Sequence, residues 1–415
     1  MVTPGERQDP SSLVSPVTGA TAATVKGMRP DVVVIGGGIA GVSIGYELAA
    51  HRRVTVLETE RSLATHSTGR SAAMYVPGHG VPSVRSLIKA SGPRFAALAE
   101  QLDAPPLLRH RPVLWTAFDD HGEQALHAEL AARSGEQDVP VELSPHEAVA
   151  RCPLLRRDGL RAAAVTKTAC DLDAMALHQA YVRGLRQRGG DVRVAVQVTG
   201  LAARSSGWQV RCSTGEVLHA TDVVNAAGAW ADTVAELAEV RRLGLRPLRR
   251  TIVVARVPDP TRLTAPNADP LPMVVEARER WYFKPEGANL LLSPGDETPV
   301  EPGDAQPDPI DVANALQRVE AVTGLGLRSV QSSWSGLRSF VADRAPVVGT
   351  WPQHSGFHFF AGQGGSGIEA APALAELGAA IILRHPPPLD IPLDPAALSP
   401  ARLAGNCSGL PGTAT

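Results

Sequence analysis

The tightest constraint on this chain is a short glycine turn. Between the apolar stretch "DVVVI" (31–35) and the amphipathic "GVSIGYELAA" (41–50) runs Gly36-Gly37-Gly38-Ile39-Ala40-Gly41, and a second apolar stretch, "VTVLE" (54–58), follows. Strand, turn, helix and strand make one βαβ unit. In such a turn Gly36 bends the chain, Gly38 lets backbone approach a pyrophosphate, and Gly41 lets helix and strand pack closely. Ile39 and Ala40 complete the turn, and the helix N-terminus behind them faces the negative charge. Glu58 closes the second strand twenty residues after Gly38, where an acid hydrogen-bonds ribose hydroxyls and disfavours a 2′-phosphate.

That unit is a small part of 415 residues, a length that suits two interleaved domains sharing a large core. The run "VVVIGGGIAGVSIGYELAA" approaches membrane-spanning length, yet its glycines and Glu47 favour the βαβ reading, so no transmembrane segment is expected. A formal charge of −2, with no long lysine or arginine run, leaves no basic field for nucleic acid. Cys152, Cys170, Cys212 and Cys407 show no CxxC spacing, which argues against a zinc site or a disulfide framework. No metal is expected, and a reduced cytoplasmic setting fits best, with peripheral membrane association left open. Residues 1–30 are polar and broken by proline and glycine, and read as a flexible extension; 403–415 read as a flexible tail.

Helical periodicity recurs at 83–101, 123–134, 144–151, 174–188, 310–322 and 368–384. Strands are expected at "DVRVAVQVTGL", "WQVRC", "DVVNAAG" and "FHFFAG", and a run of strands separated by turns, "TIVVARV", "MVVEA", "RWYFKP" and "NLLLS", fills 251–293. The simplest architecture is α/β: a Rossmann-like cofactor domain (31–82, 145–245 and 335–402) with an inserted mixed or antiparallel-sheet substrate domain (83–144 and 246–334).

Directly after the second strand comes "HSTGRSAAMY" (66–75), small and hydroxylated residues around one arginine, then the loop "VPGHGVP". A flavin passes its pyrophosphate and ring under such a loop, whereas a nicotinamide does not need one. With "DVVVIGGGIAG", "VVNAAGAWAD", "SGLRSFVADRAPVVG" and "GQGGSGIEAAPA", the chain resembles the D-amino-acid oxidase superfamily of FAD enzymes from Asp31 to Arg402. The fold this implies is of the glutathione-reductase-2-like, D-amino-acid-oxidase type. Within the superfamily, "HSTGRSAA" and "WSGLRSFVAD" are most similar to the D-arginine dehydrogenase branch. No cysteine or histidine matches the covalent attachment sites of sarcosine oxidases, so non-covalent FAD is expected.

The resemblance gives Ser67, Thr68, Arg70, Ser71 and Ala72 to the flavin and pyrophosphate, with Arg70 as loop anchor or phosphate contact. It puts Val196 and Ala227, with Gly228 and Trp230, along the adenine side. Gly364, Gly365, Gly367 and Ile368 then lie near the pyrimidine end, where backbone N–H groups meet developing charge. It also implies that Arg338, Arg250 and Tyr282 clamp a substrate α-carboxylate, a job suited to the guanidinium fork. Read by themselves, Arg250 has the alternative reading of a surface charge and Tyr282 of a sheet aromatic, while the glycines read equally as punctuation before a helix.

The chain also leaves the D-arginine pattern. Val113 stands where the branch has an acid for the cationic side chain, Met74 replaces a histidine, Val76 a threonine, His79 a lid tyrosine and Glu369 a glutamine. A more apolar pocket lined by Met74, Val76, Val113, Met273 and Val275 is expected, with Gly365 and Glu369 beside it. His79 reads as a lid residue or as loop surface, and Glu369 as a pocket residue or a cap on the final helix. Leu291 stands where oxygen-using sarcosine oxidases have a lysine, which favours a dehydrogenase; the electron acceptor, a quinone, a redox partner or O2, stays open. The implied activity is oxidative deamination of a neutral D-amino acid, by hydride transfer from the α-carbon to flavin N5, to an imino acid that hydrolyses to a keto acid. Two alternatives stand beside it: an oxidase of a secondary amine or glycine derivative, and a non-catalytic flavoprotein subunit.

Overall fold

The structure is a computed structural model that describes residues 29–265 and 269–403. The expected N-terminal extension up to residue 28, the tail beyond Leu403 and Cys407 lie outside the described residues.

The alternation of valines in the first strand decides the cofactor half of the molecule. Val32 and Val34 point to one face and Val33 and Ile35 to the other, and all four are buried, as in a parallel sheet covered on both sides. Six strands make that sheet, in the order Val347–Thr350, Phe357–Ala361, Asp222–Asn225, Val32–Ile35, Val54–Leu57 and Asp191–Arg193. Only the Val347–Thr350 edge strand is antiparallel to its neighbour. Helices Ile39–Leu48, Pro82–Gln101, Ala174–Gln187 and Ala371–Leu383 cover one face; the three-stranded antiparallel sheet 198–220 and helix Ala231–Leu237 cover the other.

The second half is a nine-stranded sheet. Its middle runs Arg246–Arg256, Asn289–Ser293, Tyr282–Glu286, Met273–Glu276, Val113–Ala117 and Ala162–Thr166, with Val330–Phe340 on the far side of Arg246–Arg256. It is mixed, because Met273–Glu276 pairs in parallel with Val113–Ala117. The fold class is the one expected.

Local details differ from the reading of the sequence. The stretch "DVRVAVQVTGL" is two strands in different sheets, divided where Ala195 takes φ +56°. Strand Ala162–Thr166 and residues 335–340 belong to the nine-stranded sheet, so the seams expected at 145 and 335 both move toward the C-terminus. The final helix starts at Ala371 rather than 368, because Pro372 is tolerated only in a first turn; residues 367–370 form a turn before it.

One pairing builds the site. Strands Arg246–Arg256 and Val330–Phe340 are antiparallel, with Leu248 opposite Arg338 and Arg250 opposite Gly336. Residues two apart share a face, so Arg250 and Arg338 project diagonally from the same side of the sheet.

Candidate active site

The glycine turn has the steric demands its spacing implies. Gly36 has φ +112°, and a Cβ there would lie 2.5 Å from the Ala226 carbonyl oxygen; at Gly41 it would lie 1.7 Å from the Gly36 carbonyl oxygen. A Cβ on Gly38 meets only Thr68 Oγ1, at 3.2 Å, because that side faces a cavity. Glu58 accepts hydrogen bonds from the N–H groups of Gly37 (2.7 Å) and Glu60 (2.9 Å). Beneath the turn, His178 Nε2 lies 2.9 Å from the Gly37 carbonyl oxygen, and burial lowers the ring's pKa. A neutral ring donating through Nε2 follows. Nothing in the sequence singles out His178, which reads as one more residue of an amphipathic helix.

The cavity beside the turn encloses about 350 Å³. It is bordered by Gly36, Gly38, Ile39, Ala40 and Glu58, by Val196, Ala227, Gly228 and Trp230, by the loop from Ser67 to Ala72, and by Gly364, Gly365, Gly367 and Ile368. Of the turn residues, Gly37 and Gly41 do not border it: Gly37 packs toward Leu63 and Glu58, and Gly41 is turned into the helix–strand contact.

The small-residue loop is fastened at almost every step. Ser67 Oγ donates to Leu337 O at 2.7 Å, Thr68 Oγ1 accepts from Ile39 N–H at 3.0 Å, and Lys284 Nζ donates to Ala72 O at 3.0 Å. Arg70 donates to the carbonyls of Thr65 (3.2 Å), Ala305 (3.0 Å) and Ser335 (3.0 Å) and pairs with Asp304. Of the two roles open to Arg70, this geometry favours the anchor. Lys284, absent from the reading of the sequence, also pairs with Asp171 and stands directly across the sheet from Leu291.

A second cavity of about 100 Å³ opens beside the first. Ser71, Ala72, Arg250, Tyr282, Arg338, Gly365 and Ile368 line both and form the neck between them. Beyond the neck the walls are Met74, Val76, Val113, Met273 and Val275, with His79, Glu279 and Glu369. Trp115 is there too; it shares a face with Val113 two residues before it, a period-2 signal the sequence carried.

Arg338 is the electrostatic focus. Among the described residues it has no hydrogen bond and no ion pair, and burial, then the neighbouring Arg250 guanidinium, holds its pKa below the usual value. A guanidinium remains charged in proteins regardless, so among the described residues this is a cation with no anion at ion-pair distance, Glu279 and Glu297 acting on it only from farther off. Arg250 is partnered: Nε donates to the Asp296 carbonyl at 2.8 Å and its fork lies 3.4 Å from Glu297. Tyr282 is 5% exposed, and among the described residues its hydroxyl makes no hydrogen bond. Gly365 leaves room for Arg338, since a Cβ there would lie 3.1 Å from the guanidinium carbon.

His79 lies on the loop between Gly78 and Gly80, both at positive φ. Its Nε2 is 3.0 Å from Glu279 Oε1 and its Nδ1 is 3.6 Å from Glu369 Oε1. Burial works against its charge, but Glu279 and then Glu369 outweigh burial and raise its pKa to about 10. Against its own burial, Glu279 is held well below the usual carboxylate range by His79, with help from Arg338 and Arg250. Linkage fixes the signs: His79 stabilises fully below about pH 6.5 and loses this as pH rises to about 10, while Glu279 stabilises fully above about pH 4.5. We expect the thermal midpoint to fall between pH 6.5 and 10 more steeply in the wild type than in His79→Gln. Equal slopes would show that the contact does not form in solution. Glu369 is no helix cap: it precedes the final helix, is 6% exposed and accepts from Val76 N–H at 2.9 Å.

A cavity of about 350 Å³ on a glycine turn, joined through a cationic neck to a smaller chamber, has the layout of a nucleotide-cofactor site beside a substrate-sized space. The small-residue loop, the helix N-terminus and the Glu58 carboxylate fit an FAD. A family model described as FAD dependent oxidoreductase matches residues 31–381, and the chain belongs to that family, with FAD as its cofactor. It is 27% identical to the glycine oxidase of Geobacillus kaustophilus over 88% of this chain and 95% of that one. It is 26% identical to a hydrogen cyanide synthase subunit of Pseudomonas aeruginosa, over 87% and 94% of the two chains. The crystal structure of the Geobacillus kaustophilus glycine oxidase superposes with a TM-score of 0.77 at 23% identity, covering 90% of this chain and 98% of that one. Among the described residues no helix is long and apolar enough to cross a membrane.

Proposed function

We propose that the protein oxidises the C–N bond of a neutral amino acid, of D configuration, to an imino acid that water converts to a keto acid and ammonia. The carrying observation is Arg338, which has no hydrogen bond or ion pair among the described residues, beside the unbonded Tyr282 hydroxyl at the neck between the cavities. A substrate carboxylate completes that pair, with Arg250 held by Asp296 and Glu297 as the second fork. FAD, when bound, accepts two electrons and the hydrogen from the substrate's α-carbon. The chain's own part is to fix the carboxylate so that the α-carbon lies at the neck, and to close the chamber behind it.

Apolar Val113, Met273 and Val275 support a neutral side chain; resemblance of "HSTGRSAA" and "WSGLRSFVAD" to the D-arginine branch supports the D configuration. Leu291, where a lysine would favour oxygen, supports a dehydrogenase. Anaerobic mixing of holoenzyme with a panel of neutral D- and L-amino acids is expected to bleach the flavin with the D series. If no member bleaches it, the reading fails. The glycine oxidase relative, matched over most of both chains, favours a second reading, an oxidase of glycine or a secondary amine such as N-methylglycine. Peroxide formed at the rate of turnover would select it.

A further inference from the structure

We propose that Glu369 receives the amino nitrogen of the substrate, so that the neck reads the acid through Arg338 and the amine through Glu369. This rests on the reading above, that the neck binds an amino-acid carboxylate. A carboxylate buried in protein ordinarily gathers donors at both oxygens, because an unpaired buried charge is costly. Glu276, 1% exposed, does so: it accepts from Arg278 N–H and Arg280 N–H at 3.1 Å each and from the Arg280 guanidinium at 2.8 Å.

Glu369, 6% exposed, does not. Its Oε2 accepts from Val76 N–H, but the nearest cation to Oε1 is His79 Nδ1 at 3.6 Å, beyond a hydrogen bond. His79 is drawn the other way, its Nε2 being 3.0 Å from Glu279. One imidazole therefore serves two carboxylates, and among the described residues Oε1 has only that long contact, on a residue that borders the chamber.

Position makes that vacancy specific. Glu369 follows Ile368, which lines the neck, and borders the same chamber as Tyr282 and Arg338. Tyr282, 5% exposed and without a hydrogen bond among the described residues, is a second unmet polar group aimed into it. An α-amino acid carries its acid and amine on one carbon, so the two anchors must serve adjacent atoms. Arg338 and Glu369 both border this chamber of about 100 Å³, an arrangement compatible with that demand. The apolar walls then take the side chain.

The test separates charge from bracing. Glu369→Gln keeps an oxygen for Val76 N–H and removes the charge. Holoenzyme is titrated with two probes of equal shape, D-valine and its des-amino analogue 3-methylbutanoate, following flavin spectral perturbation and, for D-valine, anaerobic reduction. The wild type is expected to prefer D-valine; in Glu369→Gln that preference falls roughly tenfold or more, as for loss of a charge-assisted hydrogen bond, while 3-methylbutanoate binds as before. Glu369→Asp, which keeps the charge on a shorter arm, retains part of the preference and covers the case in which Glu369→Gln does not fold. Absence of a wild-type preference, or an equal shift for both probes, overturns the proposal. Arg338→Ala separates the two ideas: it should weaken both probes together, and if 3-methylbutanoate binding does not respond to it, the carboxylate reading fails whatever Glu369 does.

Discussion

Arg338→Ala is expected to yield a folded, yellow protein that has lost most of its activity. Arg338 makes no hydrogen bond or ion pair among the described residues, so removing it breaks neither, and relief of repulsion from Arg250 is set against the lost attraction of Glu279 and Glu297. The loss falls on substrate. Truncating one partner of a buried, hydrogen-bonded charge pair costs about 2–5 kcal/mol, roughly 30-fold to several thousand-fold in kcat/KM. Arg338→Lys should recover a fraction, because an ammonium gives charge without the fork. Steady-state kinetics with whichever amino acid bleaches the flavin, and a melting curve beside it, decide the matter. A variant that melts at least as high as wild type yet turns over that amino acid at the wild-type rate would show that Arg338 does not hold the substrate carboxylate.

The second large effect is a contrast between two glycines three residues apart. Gly41→Ala drives a Cβ to 1.7 Å from the Gly36 carbonyl oxygen, backbone against backbone, and the helix must lift off the strand to relieve it. Overpacking of this kind costs about 1–3 kcal/mol or more, so a lower melting temperature and a colourless protein are expected together. Gly38→Ala meets only Thr68 Oγ1 at 3.2 Å and otherwise points into the cofactor cavity. It should melt near wild type without cofactor, and lose FAD affinity because the methyl takes space the ligand needs. Measuring apo-protein melting and FAD dissociation for both separates a packing glycine from a ligand-approach glycine. Equal melting for the two variants would contradict the distinction.

What the sequence made legible was whatever depends on neighbours in the chain. The glycine turn, the buried valine strands and the amphipathic helices follow from local periodicity, and all formed near their expected bounds. Arg250, Arg338, Tyr282, Met74, Val76, Val113, Met273 and Val275 were named from motif wording, and the fold brings them to one chamber and its neck. What escaped notice depends on distant pairing. Glu279 reads as one charge in the turn "ARER", and only the fold carries it to His79, 200 residues away. His178 and Lys284 hold backbone carbonyls of the cofactor loops, and a contact to another segment's backbone leaves no trace in residue type. The seams at 145 and 335 were misplaced because strands that cross between sheets look like any others.

The diagonal placement of Arg250 and Arg338 on paired strands carries a lesson for anyone remodelling this enzyme. Their shared face depends on an even count along each strand from the point where the two are in register. Inserting or deleting a single residue upstream in either strand would turn one guanidinium to the opposite side of the sheet, with no intermediate geometry available. Substrate preference can therefore be changed gradually through the walls at Met74, Val113 and Met273, while the carboxylate end answers to strand length in all-or-none fashion. Libraries that vary side chains across the chamber but leave the lengths of 246–256 and 330–340 untouched should stay rich in folded, acid-binding variants.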